Sequence, residues 1–310
     1  MDFVIFILAM GTLIVGADFI VNKSERIAVH FNISEFVIGA TIVALGTSLP
    51  EMAASIAASV DNKPEIAVAN AIGSNIFNIT LVLAIIFLIS KKITPKRDFF
   101  AKDTTWALVP IILFLLMSID GVISFLDGIL LLILMLAYML FLFEDSEGLG
   151  VDEIPDDTTE GFKWSSTVGL LLLGFAFVVG GAHFAIESAS DIALEFGVSE
   201  WAIGIIMISF GTSLPELVIS VSAAFKGKVD MAIGNIIGSN LANTTLVIGF
   251  AALVNELPIS LAENAFDLAT MTAATIMLIY ITANKLYSRP AGISLLLLLV
   301  LFLENTISNM

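Results

Sequence analysis

Two glutamates, Glu51 and Glu216, stand in the middle of apolar stretches, each closing the same hexapeptide: Gly46-Thr47-Ser48-Leu49-Pro50-Glu51 and Gly211-Thr212-Ser213-Leu214-Pro215-Glu216. A carboxylate inside a bilayer costs at least about 2.5–3.5 kcal/mol, so an acid kept twice in one setting points to function. Thr47 and Ser48 precede Glu51 by four and three residues, which puts them on its helix face. Thr212, Ser213 and Glu216 repeat the spacing. Further along, Asn70, Ser74 and Asn78 recur every four residues as a polar stripe, repeated by Asn235, Ser239 and Asn243. Every donor in this set is oxygen. Such a set suits hard cations: Ca²⁺ takes roughly six to eight oxygens in flexible geometry, and Mg²⁺ a tight octahedron. Zinc, copper and iron favour nitrogen or sulfur. The chain has no cysteine, and its two histidines, His30 and His183, do not recur between the hexapeptide-bearing halves. Both read as incidental.

Pro50 and Pro215 lack a backbone N–H and clash with the preceding turn. The helix is therefore predicted to loosen around Gly46 and Gly211, freeing carbonyls at Ala44-Leu45 and Ser209-Phe210. In lipid such groups need a partner, and a cation is a good one; a plain proline kink is the simpler alternative. The amides of Asn70, Asn75, Asn235 and Asn240 read equally well as interhelical hydrogen-bond glue. Gly73 and Gly238 permit close helix approach.

The elements that must position these residues are membrane spans. The 310 residues are 58% hydrophobic and 14% charged, with a mean hydropathy of +1.02, well outside the range of soluble domains. A net charge of −16, from 29 acids against 13 bases, argues against nucleic acid as a partner. Spans of roughly 20 apolar residues are predicted near 2–21, 34–60, 65–89, 103–119, 122–143, 166–189, 199–225, 229–254, 262–284 and 290–307. The fold class expected is an all-α integral membrane protein with ten transmembrane helices. The first span has no basic n-region or cleavage site and is expected to be retained. With both termini outside, the cytoplasmic connections collect Lys23, Arg26, Lys91, Lys92, Lys96, Arg97, Lys102, Lys163, Lys226, Lys228, Lys285 and Arg289, leaving Lys63 alone outside. That segregation obeys the positive-inside rule. Residues 144–164 form an acidic cytoplasmic linker whose acids lack the spacing of an EF-hand loop, and it reads as solvated chain.

An offset of 165 aligns the chain with itself without gaps. Besides the hexapeptide it pairs Gly16-Ala17 with Gly181-Ala182, and Ile72-Gly73-Ser74-Asn75 with Ile237-Gly238-Ser239-Asn240. Each half (1–143 and 165–310) holds five spans. An odd number places the halves upside down relative to one another, the layout of secondary transporters with a midplane site.

At these residues the sequence resembles the Ca²⁺/cation antiporter superfamily, and within it the prokaryotic Na⁺/Ca²⁺ exchangers. The α1 motif (39–83) and α2 motif (204–248) carry the resemblance. It implies that Glu51 and Glu216 coordinate Ca²⁺ directly, with backbone oxygen from Thr47 and Thr212 and main-chain carbonyls of Ala44 and Ser209. By the same resemblance Ser48, Ser213, Ser74 and Ser239 serve flanking Na⁺ sites, and Asn78 and Asn243 complete the centre. Ca²⁺/H⁺ relatives carry a further acid in this region and K⁺-dependent relatives an Asp in the second repeat. Some prokaryotic Na⁺/Ca²⁺ members also have Asp there, so Asn243 is a departure. Its neutral amide favours Na⁺ over H⁺ as the driving ion and weakens the case for K⁺.

The expected function is electrogenic Ca²⁺ extrusion against Na⁺ by alternating access in a prokaryotic cell (inner) membrane, with a monomer sufficing. The substrates are Ca²⁺ and Na⁺, the bilayer is the surroundings, and no cofactor is expected. Ca²⁺/H⁺ exchange is the closest rival. A channel fits poorly with acids drawn from inverted halves. An enzyme fits worse, because H-E-x-x-H is missing and the Gly-Thr-Ser hydroxyls have no histidine or lysine in their own span.

Overall fold

The computed structural model describes residues 2–90, 93–146, 162–195 and 210–308. Ser209, the first part of the predicted seventh span and residues 147–161 of the acidic linker lie outside the described residues. Eleven helices are described. In chain order they are α1 (Asp2–Phe31), α2 (Glu35–Thr47), α3 (Leu49–Val60), α4 (Pro64–Ile89), α5 (Phe99–Met117), α6 (Phe125–Ser146), α7 (Trp164–Glu195), α8 (Leu214–Phe225), α9 (Val229–Val254), α10 (Ala265–Ala283) and α11 (Arg289–Ser308). Two short strands, β1 (Val122–Ile123) and β2 (Leu257–Pro258), pair antiparallel. Among the described residues eight helices are long and apolar enough to span a membrane, and α2 with α3, bent by 41°, makes a ninth.

Local chemistry sets the ends of these elements. The Ser34 hydroxyl accepts from the Val37 N–H and caps α2; Asp98 does the same for α5 through the Ala101 N–H. Pro64 opens α4, where its missing N–H costs nothing. The tight turns before α4 and α9 need a left-handed residue, supplied by Asn62 (φ 56°) and Gly227 (φ 77°). These two positions differ by the same offset of 165.

The core is built around α4 and α9. Their apolar windows are 78% buried, against 33% for α1 and 22% for α11. α9 packs along α2, α4 along α3, and the C-terminal halves of α4 and α9 lie against α11 and α6 respectively. α1 pairs with α7 along most of its length, with Gly16 against Gly174 and Gly181 against Ala9 and Leu13. Outer faces keep large apolar side chains exposed, such as Ile7 (68%) and Leu172 (62%). Water would penalise such surfaces and lipid does not. The chain is an all-helical membrane protein.

One expectation about the linker is corrected. Its first residues are helical, and Asp145 accepts from Arg97 (2.5 Å) and Lys102 (2.6 Å). Arg97 also grips Asp103 through two bonds and stacks on the Phe36 ring. Buried charges require partners, and Asp145 is one of them rather than solvated chain.

Candidate cation site

The site lies where the two hexapeptides cross the two polar stripes. α2 carries Thr47 at its end, the chain bends at Ser48, and Glu51 occupies the first turn of α3. In the second half Ser213 immediately precedes α8, with no hydrogen bond from its side chain to the helix end, and Glu216 occupies the first turn. Ser48 (φ −83°, ψ 3°) and Ser213 (φ −84°, ψ 0°) share one backbone conformation. Proline at the start of each helix explains the break, since neither Pro50 nor Pro215 can donate to the turn before it.

Glu51 and Glu216 are fully buried, each in the first turn of its helix after the break. The surrounding bonds cross between the halves. The Ser48 hydroxyl donates to Glu216 Oε1 (3.4 Å), the Thr47 hydroxyl lies 3.2 Å from Ser239 Oγ, and the Thr212 hydroxyl lies 3.4 Å from Ser74 Oγ. Asn78 donates to Asn240 Oδ1 (3.0 Å). Asn78 and Asn243 each begin a π-helical turn, Asn78–Leu83 and Asn243–Val247. A π turn widens the helix and recurs at functional sites.

Many of these oxygens have nothing to bond. Both Oε atoms of Glu51, Oε2 of Glu216, Oδ1 of Asn78, Oδ1 of Asn243 and Oγ of Ser213 are buried without a hydrogen-bond partner. Buried polar atoms are ordinarily satisfied, and an orphan costs about 1–3 kcal/mol, more when charged. Orphaned buried oxygens on the same elements as two buried carboxylates leave room for a positive charge. A hard cation would supply it; among the described residues, this crossing included, no group of three or more His, Cys, Asp or Glu side chains could hold a metal.

The sequence-predicted residues divide as follows. Glu51, Glu216, Thr47, Thr212, Ser48, Ser213, Ser74, Ser239, Asn78 and Asn243 are brought to this crossing, and Ser209 lies outside the described residues. Ala44 is at the crossing, but its carbonyl is not freed: it accepts from the Ser48 N–H (3.0 Å) and from the Thr47 hydroxyl (3.1 Å). The reason is positional. Pro50 withdraws the donor from the carbonyl four residues back, which belongs to Gly46, whereas Ala44 is still served by Ser48. His30 stacks on Phe162 (4.0 Å between ring centres) and His183 is exposed beside Glu187, both away from the crossing.

Comparison with known proteins agrees with this chemistry. The family model described as "Sodium/calcium exchanger protein" matches residues 1–144 and 166–307. An uncharacterized membrane protein of Methanocaldococcus jannaschii is 37% identical over 296 residues, 96% of this chain and 95% of the relative. The sodium/calcium exchanger MaX1 of Methanosarcina acetivorans is 32% identical over 343 aligned residues, 97% of each chain. The solved structure of the sodium-calcium exchanger NCX_Mj soaked with zero Na⁺ and Ca²⁺ superposes with a TM-score of 0.84 at 34% identity, covering 98% of both chains. By family model, sequence and structure together, the chain belongs to the sodium/calcium exchanger protein family.

Proposed function

We propose that the chain is a secondary antiporter that exchanges Na⁺ for Ca²⁺ by alternating access at the Glu51–Glu216 crossing. The family is one of transporters rather than enzymes, so the open matters are the ions, their coupling and the architecture that alternates. The observation that carries the reading is the pair of buried carboxylates whose oxygens lack hydrogen-bond partners. NCX_Mj has been solved after soaks in Na⁺ with Sr²⁺ or Ca²⁺, which supports the same ions here.

In this reading Glu51 and Glu216 bind Ca²⁺, with oxygen from Thr47, Thr212, Asn78 and Asn243, and Ser48, Ser213, Ser74 and Ser239 hold Na⁺ in flanking positions. Both ions need the same carboxylates, so one leaves before the other binds. An unloaded site would carry two bare charges through the bilayer, a cost that discourages slippage. Ten spans in two five-helix halves of opposite orientation, 1–143 and 165–310, would supply the alternation. The cross-paired hydroxyls and amides at an offset of 165 support that arrangement. In this layout residues 144–164 connect the halves in the cytoplasm of a prokaryotic cell, both termini lie outside, and physiological flow is Ca²⁺ extrusion.

Purified protein in Na⁺-loaded proteoliposomes is expected to take up radiolabelled Ca²⁺ when diluted into Na⁺-free buffer. Uptake falls to background in Glu51→Gln and in Glu216→Gln. Robust exchange in either variant overturns the site. Uptake driven by a pH gradient with Na⁺ absent from both sides replaces Na⁺ by H⁺ as the coupling ion.

A further inference from the structure

Asn70 and Asn235 occupy the same position in the two halves and are buried, at 4% and 0% exposure. Neither is among the residues assigned to the ions above, and each spends its whole amide on groups around the site. Asn70 donates to the backbone carbonyl of Glu51 (3.2 Å) and to Ser55 Oγ (3.0 Å). A carbonyl is only an acceptor, so the Asn70 NH₂ must face it and Oδ1 must face the other way. There it meets the Thr212 hydroxyl at 3.2 Å. Asn235 repeats two of these three bonds: it donates to Ser220 Oγ (2.9 Å), and its Oδ1 faces the Thr47 hydroxyl at 3.3 Å. Ser55 and Ser220 are themselves repeat partners.

A threonine hydroxyl has one proton. Thr212 gives its proton to Asn70, so Ser74 is the donor in the Ser74–Thr212 contact. Thr47 turns its proton to the Ala44 carbonyl and Asn235 Oδ1, so Ser239 is the donor to Thr47. With its proton on Asn70, Thr212 has lone pairs to offer a neighbouring cation, and both Glu51 carboxylate oxygens are buried without a hydrogen-bond partner. Lone pairs against a carboxylate repel unless a cation lies between them.

We infer that Asn70 and Asn235 are positioning residues that hold the Thr212 and Thr47 hydroxyl protons away from the carboxylates, so that these two hydroxyls present acceptors to a cation. This rests on the exchange reading and deepens it. Without the amide oxygen the hydroxyl rotates, donates to the glutamate and competes with the ion.

The test is a double-mutant cycle in intact protein, read by Ca²⁺ titration of the melting temperature in detergent and by initial rates of Ca²⁺ uptake. In Asn70→Leu the Ca²⁺ concentration for half-maximal effect rises about tenfold or more, the scale of one hydrogen bond to a charged group. In a Thr212→Val background, which has no hydroxyl proton, Asn70→Leu has no further effect on Ca²⁺ affinity. Asn235→Leu with Thr47→Val repeats the cycle should an Asn70 variant fail to fold, as judged by its melting temperature without Ca²⁺. Additive losses in the cycle overturn the inference, because helix glue would be lost whether or not the hydroxyl is present. Wild-type protein that is neither stabilised by Ca²⁺ nor transports it overturns the exchange reading and the inference with it. Wild-type binding with an additive cycle overturns only the inference.

Discussion

A side-chain amide offers either its oxygen or its NH₂ to an ion, and only the oxygen is useful. For Asn78 the choice is made at a distance. Asn240 donates to the Asn75 backbone carbonyl (3.2 Å), an acceptor that cannot be mistaken, so Asn240 Oδ1 faces Asn78 and accepts its NH₂ at 3.0 Å. Asn78 Oδ1 is thereby left unbonded. Asn75, the repeat partner of Asn240, gives its NH₂ to Thr244 instead (2.8 Å), and Asn243 has neither amide atom bonded. Thr244 corresponds to Ile79 in the first half, so the difference between the halves traces to one hydroxyl. Asn240→Ala should therefore let Asn78 turn over and raise the KM for Ca²⁺ by about two- to tenfold, the worth of one net hydrogen bond. Maximal uptake is expected to change less. An unchanged KM would show that Asn78 is held by other means.

At the scale of elements, the site exists because α2 and α9 approach closely. A Cβ on Gly238 would lie 2.6 Å from the Ala40 carbonyl oxygen and 2.7 Å from its Cα, and one on Gly234 2.5 Å from the Phe36 carbonyl oxygen. Backbone cannot step aside. Gly46 differs, since the atoms a Cβ would strike belong to the Phe175 ring of α7. Gly238→Ala is accordingly expected to lower the melting temperature through overpacking worth about 1–3 kcal/mol, with no side-chain truncation restoring it. Gly46→Ala should be restored by Phe175→Ala. Equal rescue of both would mean that the α2–α9 crossing is looser than the structure has it. Gly238, the hexapeptides and the polar stripes were legible as sequence, because small residues and repeated polar ones in apolar spans have few other uses, whereas the close approach at Gly234 was not. The π turns beginning at Asn78 and Asn243 were not, since a π turn depends on which carbonyl a given N–H selects and no residue type marks that choice. The Ala44 carbonyl was misread for a related reason: the break was recognised from Pro50, but the carbonyl it releases sits two residues nearer. The clamp joining Arg97, Asp103 and Asp145 was hidden as well, because Asp145, in the last turn of α6, belongs to a run of acids whose composition reads as solvated.

For the molecule as a whole, the charge at the crossing sets what the membrane potential can do. If Glu51 and Glu216 hold the ions as proposed, one Ca²⁺ would balance the two ionised glutamates, whereas three Na⁺, the stoichiometry that the family resemblance implies, would carry one charge more. Each elementary charge moved through the full potential is worth about 2.3 kcal/mol per 100 mV, enough to bias the cycle strongly. The sign follows from the direction of exchange: at three Na⁺ per Ca²⁺, Na⁺-loaded vesicles taking up Ca²⁺ would lose one net positive charge per cycle. An inside-positive potential, set by valinomycin with K⁺ high outside, should therefore accelerate Ca²⁺ uptake, and an inside-negative one should slow it. Neutral Asn243 contributes no charge to this balance, so the response should hold across the pH range in which both glutamates stay ionised. Uptake indifferent to the imposed potential would mean two Na⁺ per Ca²⁺, and a site whose two carboxylates are the whole of its moving countercharge.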